Sequence, residues 1–425
     1  MPNLSQLLIS KSKAGHIRVF NACSEIQSQL DEVNEVFVCG GFVRDFIQGN
    51  PPGDIDLCVA GNAKKFSVAL SKKLDVQNPA ESQFLTFKIN TNELMEDVLS
   101  IDVVNCRDET YSEPASLPDV VPSSIEKDLM RRDFTINAMA ISLSDQRWGE
   151  LVDPSNGFGD IMRKRIKVLH ELSFIDDPTR LFRAVRYATR LGFNIDYRTN
   201  QLFTNALGNV DLLSGARVRN EFEHILKEPK ASEILRQAED LGLLSAITPG
   251  LRVGSKSLEI IDVFLQADSK THEIEDLLAA ATFSLSTQEA EQTANRFDGP
   301  HNWTISILGN AKLASVVGIL DDPSITRSEV ADVLNPIPVQ CINAYIAAGS
   351  TLPRRARLAD FIETIRFEKP EITGDDLMDV GVPEGPIIGQ LLDLVTRARL
   401  DRKVNSRTEE LDLARSRLPE FLTHE

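Results

Sequence analysis

Residues 38–58 read VCGGFVRDFIQGNPPGDIDLC, and the reading of the fold starts there. A short apolar run ending at Cys39 is stopped by Gly40-Gly41, and a helix-like segment carrying Arg44 and Asp45 follows. A Pro/Gly turn leads into Asp54-Ile55-Asp56. Strand side chains alternate faces, so Asp54 and Asp56 point the same way. Two carboxylates side by side repel each other unless a cation sits between them. Mg²⁺ takes oxygen ligands, typically one or two carboxylates completed by substrate phosphates. A glycine pair ahead of a helix offers bare N–H groups to phosphate. One short stretch therefore supplies a phosphate cradle and a metal platform.

Outward from it, strand and helix patterns alternate. Residues 35–39, 54–60, 84–89 and 99–105 read as strands, and 42–48 and 63–74 as helices. A mixed order with a small sheet implies a compact α/β head of roughly 140 residues. Asp102 stands in the middle of an otherwise apolar strand. A buried carboxylate needs a partner, and beside Asp54 and Asp56 it reads as a third metal ligand. Residues 107–124, RDETYSEPASLPDVVPSS, lack periodicity and read as a long functional or mobile loop. In RRDFTINAMAISL (131–143), Asp133 reads as an N-cap, with Ile136, Met139, Ala140 and Leu143 as a helical stripe. Arg132, Asp133, Thr135 and Asn137 then crowd a first turn, where anions are favoured and Arg can grip phosphate. Plain capping with surface charge is the alternative.

Residues 150–154 and 166–169 read as a small strand pair. IDDPTRLFRAVRYATRLGF (175–193) carries clear helix punctuation: Asp177 at the cap, Pro178 first, Gly192 past the end. Leu181, Ala184, Val185 and Ala188 form its packing stripe, and Arg180, Arg183 and Arg186 step along another face. Asp177 and Arg180 would present an acceptor and a donor edge to a base. The alternative is a local salt bridge between them, worth under ~1 kcal/mol if exposed. From about residue 197 onward the pattern is helical. In the last part, Arg397, Arg399, Arg402 and Lys403 suit either a phosphate backbone or a solvated face.

A chain of 425 residues holds two to four domains. Its net charge of −17 argues against a general nucleic-acid coat, though not against a local basic groove. Five scattered cysteines without a CxxC point to a reducing compartment and to no zinc site. No apolar run approaches a membrane span, and the N-terminus lacks a signal-peptide layout.

The ordered set GGFVRD, DIDL, IDVVNCRDETY, RRDFTINAMA, LVDPSNGFGDI, DDPTRLFRAVRYATRLGF and ARVRNEFEHIL resembles the class II tRNA nucleotidyltransferases. These CCA-adding enzymes share their head with bacterial poly(A) polymerases. The resemblance implies an α+β chain, with a polymerase-β-like nucleotidyltransferase head and an all-helical remainder. Its parts would be a catalytic head (1–145), a base-selecting neck (146–228), a body (229–350) and a tRNA-binding tail (351–425). Asp54, Asp56 and Asp102 would be catalytic and would hold Mg²⁺. Gly40, Gly41 and Arg44 would lie near the triphosphate, and Arg132, Asp133 and Asn137 near ribose and phosphates. Asp177 and Arg180 would read the Watson–Crick edge of CTP or ATP, and Arg183 and Arg186 count with the nucleotide-binding set. Arg217, Arg219 and Glu221 would brace the neck, and 107–124 would be the loop that helps switch from C to A addition. One departure is visible: Asp176-Asp177 replaces the family's usual Glu-Asp. No His-Asp phosphohydrolase pattern is present. The implied reaction is template-independent CCA addition to tRNA, in the cytoplasm, with no membrane and no obligatory protein partner. A-only addition, poly(A) synthesis and a silent RNA-binding relative are the alternatives.

Overall fold

A computed structural model describes residues 3–50, 53–81, 86–91, 97–267 and 272–422. The chain divides into two compact units, Met1–Arg217 with Leu241–Ala246, and Val218–Asp240 with Ile247–Glu425.

The first unit is built on strands β1 (Val33–Cys39), β2 (Asp54–Gly61), β3 (Ala80–Glu81), β4 (Phe87–Asn90), β5 (Ser100–Asn105), β6 (Arg107–Thr110), β7 (Asp119–Pro122), β8 (Ala140–Ser142) and β9 (Leu151–Val152). Among the described residues, seven of them form one sheet in the order β3-β4-β5-β2-β1-β8-β9. β2 and β5 run parallel, with Asp56 beside Asp102. The other described pairs in this sheet are antiparallel. Val36, Phe37 and Val38 of β1 are buried on both faces, as a central strand requires. Helices Ala14–Gln29 and Ala63–Leu74 pack together, burying Phe20, Phe66, Leu70 and Leu74. The turn into helix Gly41–Ile47 needs glycine, because Gly40 has φ 68° and ψ −131°. The helix expected at 63–74 has those bounds. Of the strand expected at 84–89, residues 84–85 lie outside the described residues, Thr86 precedes β4, and 87–89 fall in it.

Three expectations are corrected. Residues 133–143 are not a helix but a 3₁₀ turn, Thr135–Asn137, followed by β8. Ala138 through Leu143 are all buried, and the short apolar run 138–141 cannot be told from a helix by periodicity. β8 pairs with β1 on one side and β9 on the other, so both of its edges are hydrogen-bonded. Residues 107–124 are not an irregular loop. β6 and β7 pair as an antiparallel hairpin, Arg107 opposite Pro122 and Thr110 opposite Asp119. β7 is exposed along its length, so no alternation marked it in the sequence. Finally, 150–154 and 166–169 do not pair with each other. Leu151 joins β8, and Arg165–Ile166 runs parallel to Asn194–Ile195.

Helix Thr179–Leu191 ends on Gly192 in the left-handed region, as its sequence requires. The five cysteines are free and buried. Scattered in sequence, Cys39, Cys58 and Cys106 nonetheless share one core with Phe37, Ile125 and Leu129.

The second unit is helical among the described residues. Ser286, Thr326 and Thr373 start helices with reciprocal capping boxes to Glu289, Glu329 and Asp376. The stretch His301–Asp321 is long and apolar enough to cross a membrane by length and composition, which corrects the sequence expectation. Trp303, Ile307, Leu313 and Leu320 are buried within the unit, as in a core helix. Farther on, Ile372, Leu377, Val382, Leu391, Val395 and Ala414 form a separate core. Arg397, Arg399 and Lys403 meet acids here: Asp332 at 2.6 Å, Glu410 at 2.6 Å and Asp401 at 3.1 Å.

Candidate active site

Asp54 and Asp56 are exposed on one face of β2, while Ile55 and Leu57 are buried on the other. The parallel register sets Asp102 beside Asp56. Ser100 Oγ donates to Asp54 Oδ1 at 2.7 Å. Asp102 Oδ1 is buried without a hydrogen-bond partner, and Lys88 Nζ stands 3.7 Å away, beyond hydrogen-bond reach. Asp56 meets solvent on its outer side, but protein walls in the rest. That burial, with Asp102 and Asp54 nearby, pushes its pKa up to about 6 against the pull of Arg132. Among the described residues no three acid, His or Cys side chains close around a metal position. An orphaned carboxylate oxygen beside two like charges still fits a hard divalent cation whose remaining ligands come from phosphate.

Gly40 lies close to Arg132 and Asp56. A Cβ on Gly40 would lie 2.7 Å from Arg132 Nη1 and 3.7 Å from Asp56 Oδ2. A Cβ on Gly41 would make only ordinary contact with Arg44, at 3.5 Å. Arg44 is buried and committed: Nε and Nη2 each donate to Asp45 at 2.7 Å, and Nη1 donates to Asn137 Oδ1 at 2.6 Å. Asn137 Nδ2 donates to Asp133 Oδ1 at 3.1 Å, and Arg183 Nη2 donates to Asp133 Oδ2 at 2.6 Å. Burial raises the Asp133 pKa, but Arg183 and Asn137 outweigh it and hold the group below the usual carboxylate range. Arg44, Arg183, Arg186 and Arg190 ring Tyr187 at 5.3, 5.3, 5.2 and 4.8 Å from its centroid.

Asp177 and Arg180 sit at the start of helix Thr179–Leu191 but do not pair. Asp177 Oδ1 accepts from Thr179 N–H at 3.1 Å and from Arg217 Nη2 at 2.8 Å. Arg180 Nη1 donates to Ser173 Oγ at 2.7 Å, and Nη2 donates to the Arg131 carbonyl at 2.8 Å. The local salt bridge weighed from the sequence is therefore replaced by one to Arg217. Asp176 faces His170 at 3.9 Å, and burial, then Arg180, lowers the His170 pKa. Arg219 belongs to the second unit, where it donates to the carbonyls of Phe297 and Asp298 at 2.8 and 2.5 Å. Glu221 is buried there.

Sequence reasoning missed Asp128, Arg131's double engagement and Glu109. Arg131 Nη1 donates to Glu109 Oε1 at 2.7 Å. Arg131 and Arg132 both bond Asp128, three and four residues earlier. That spacing was the available signal.

Residues 36–167 match the poly(A) polymerase head domain family, and 192–253 match the family described as the probable RNA and SrmB-binding site of polymerase A. An A-adding tRNA nucleotidyltransferase of Halalkalibacterium halodurans is 29% identical over 99% of this chain and 96% of its own. One from Geobacter sulfurreducens is 31% identical over 89% of this chain, but the match spans only 44% of that protein. Other relatives are named CC-adding and CCA-adding enzymes. The structure of a CCA-adding enzyme in an apo form superposes with a TM-score of 0.79 at 27% identity, covering 98% of this chain and 99% of that one. CCA-adding enzymes in complex with ATP, with CTP and with tRNA have similar structures.

Proposed function

Because the chain belongs to the tRNA nucleotidyltransferase and bacterial poly(A) polymerase family, we propose that it adds CCA to the 3′ end of tRNA from CTP and ATP. The addition needs no RNA template and releases pyrophosphate. The observation that carries this reading is the group Asp54, Asp56 and Asp102, aligned on one parallel strand pair beside Gly40 and Arg132.

Asp54, Asp56 and Asp102 would hold Mg²⁺, which when bound lowers the pKa of the attacking 3′-hydroxyl and offsets charge on the phosphates. Gly41 lends its N–H group, while that of Gly40, expected to be bare, is donated to the Met139 carbonyl at 3.0 Å, and Arg132 grips the triphosphate. The chain Arg44–Asn137–Asp133–Arg183 stiffens the wall behind them, and Arg186 lends positive charge to the nucleotide. Arg180 keeps N–H donors for cytosine O2 and N3 or adenine N1. Asp177 Oδ2 accepts from the exocyclic amine of either base. Guanine and uracil present the wrong edge, so buried groups would go unpaired and the base is rejected. Arg217 steadies Asp177, and Arg219 and Glu221, on the same helix Gly215–Leu226, brace the neck. Free, buried thiols support a reducing, cytoplasmic setting. tRNA is the acceptor, and no obligatory protein partner is invoked.

A-only addition is the second reading, favoured by the names of the Halalkalibacterium and Geobacter relatives. The test offers tRNAs ending at the discriminator base, at C and at CC, each with single nucleotides. CCA addition extends all three. A-only addition extends the CC-ending tRNA with ATP alone, and a poly(A) polymerase runs on. Asp54→Ala should abolish incorporation with the fold intact, and normal activity in it would sink the metal assignment.

A further inference from the structure

We propose that Asp128 is a positioning residue that holds the phosphate end and the base end of the nucleotide pocket in register. The inference rests on the nucleotidyl-transfer reading above. Asp128 lies on helix Ile125–Met130 and is fully buried. Its Oδ1 accepts from Arg131 Nη2 at 2.7 Å, from Arg131 Nε at 3.2 Å and from the Arg107 N–H at 3.2 Å. Its Oδ2 accepts from Arg132 Nη2 at 2.9 Å and Nε at 3.2 Å. A carboxylate offers about four lone-pair sites, so this one has none left for substrate. Asp128 therefore acts through its partners.

The two arginines lead in different directions. Arg132 Nη1 fills the space a side chain on Gly40 would occupy, next to Asp56. Arg131 reaches Glu109 of the β6–β7 hairpin with its guanidinium, while its carbonyl accepts from Arg180 Nη2. Because the arginines are adjacent in the chain, fixing both guanidinium forks fixes the peptide between them. The Arg131 carbonyl that steadies Arg180 belongs to that peptide. The Arg107 N–H adds the hairpin root to the same oxygen. One charge thus sets the phosphate-side arginine, the base-side arginine and the hairpin together.

Asp128→Asn keeps the shape and removes the charge. In the full chain we expect the dissociation constant for ATP to rise about tenfold, together with about a tenfold rise in GMP and UMP incorporation relative to AMP and CMP. Asp128→Glu, which keeps the charge, should recover part of both. Leu129→Ala on the same helix empties a fully buried site and controls for stability. It should lower Tm at least as much as Asp128→Asn without relaxing base choice. Wild-type affinity and discrimination in Asp128→Asn would overturn the proposal, as would losses that merely follow Tm as they do in Leu129→Ala. If the wild-type protein binds ATP but transfers nothing, the functional reading falls and the affinity measurement alone decides Asp128. If it binds no nucleotide, both fall.

Discussion

The Asp177 carboxylate is held by Arg217, 40 residues along the chain, with Nη2 to Oδ1 at 2.8 Å. The second terminal nitrogen of Arg217 donates to the Ala115 carbonyl at 2.7 Å, in the turn of the β6–β7 hairpin. One guanidinium thus links the residue proposed to read the base amine with the hairpin beside it.

Arg217→Met should therefore loosen base choice more than it loosens the fold. The pair is partly exposed, so its loss should cost about 1 kcal/mol or less. Misincorporation of GMP and UMP should rise several-fold while urea unfolding barely moves. Unchanged fidelity would show that Asp177 needs no such anchor.

The raised pKa of Asp56 has a definite sign. The ordinary value is 3.8 and the folded value about 6, so the folded protein binds more protons between them. The contribution of this group to stability is whole below the lower value and is lost as pH rises through the higher. Asp56→Asn should accordingly gain Tm over the wild type, without added metal, as pH rises from about 4 to above 6. Added Mg²⁺ should raise the wild-type Tm more at pH 7.5 than at pH 5, because proton and cation compete. An equal Mg²⁺ effect at both pH values would count against Asp56 as a ligand. Thermal scans across that range make both comparisons.

Gly40→Ala should destabilise by about 1–3 kcal/mol, since its backbone lies where only glycine is at ease and the new Cβ strikes Arg132. Gly41→Ala meets only ordinary contacts and should keep its stability within about 0.5 kcal/mol. Equal unfolding midpoints for the two variants would refute the distinction.

In the second unit, Glu410 is fully buried and accepts from the N–H groups of Glu371 and Ile372, at 2.8 and 3.1 Å, and from Arg399 at 2.6 Å. Glu410→Ala should cost about 3 kcal/mol by leaving these donors unpaired, and Glu410→Gln distinctly less. Chemical denaturation of both variants checks the order.

Local signals carried much of the fold into the sequence. Alternation in DIDL placed Asp54 and Asp56 on one face, and the Pro178 and Gly192 punctuation bounded a helix. The ordered motifs pointed to the poly(A) polymerase head that residues 36–167 match. These features were legible because each depends on residues within a turn or two of one another. Residues 133–143 were misread because Ile136, Met139, Ala140 and Leu143 fit a helical period, whereas pairing with β1 and β9 made 140–142 a strand. The hairpin at 107–122 was missed because β7 is exposed along its length and β6 carries no apolar residue, so neither strand shows an apolar alternation.

What the sequence determined by itself is therefore the chemistry on offer: three acids, a glycine turn and a set of arginines. Only the tertiary structure decided who holds whom. Register across β2 and β5 set Asp102 beside Asp56, and packing gave Asp177 to Arg217 and Asp133 to Arg183. A charge takes whichever partner the fold brings within about 3 Å, and pairings such as Asp177 with Arg217 have no period along the chain.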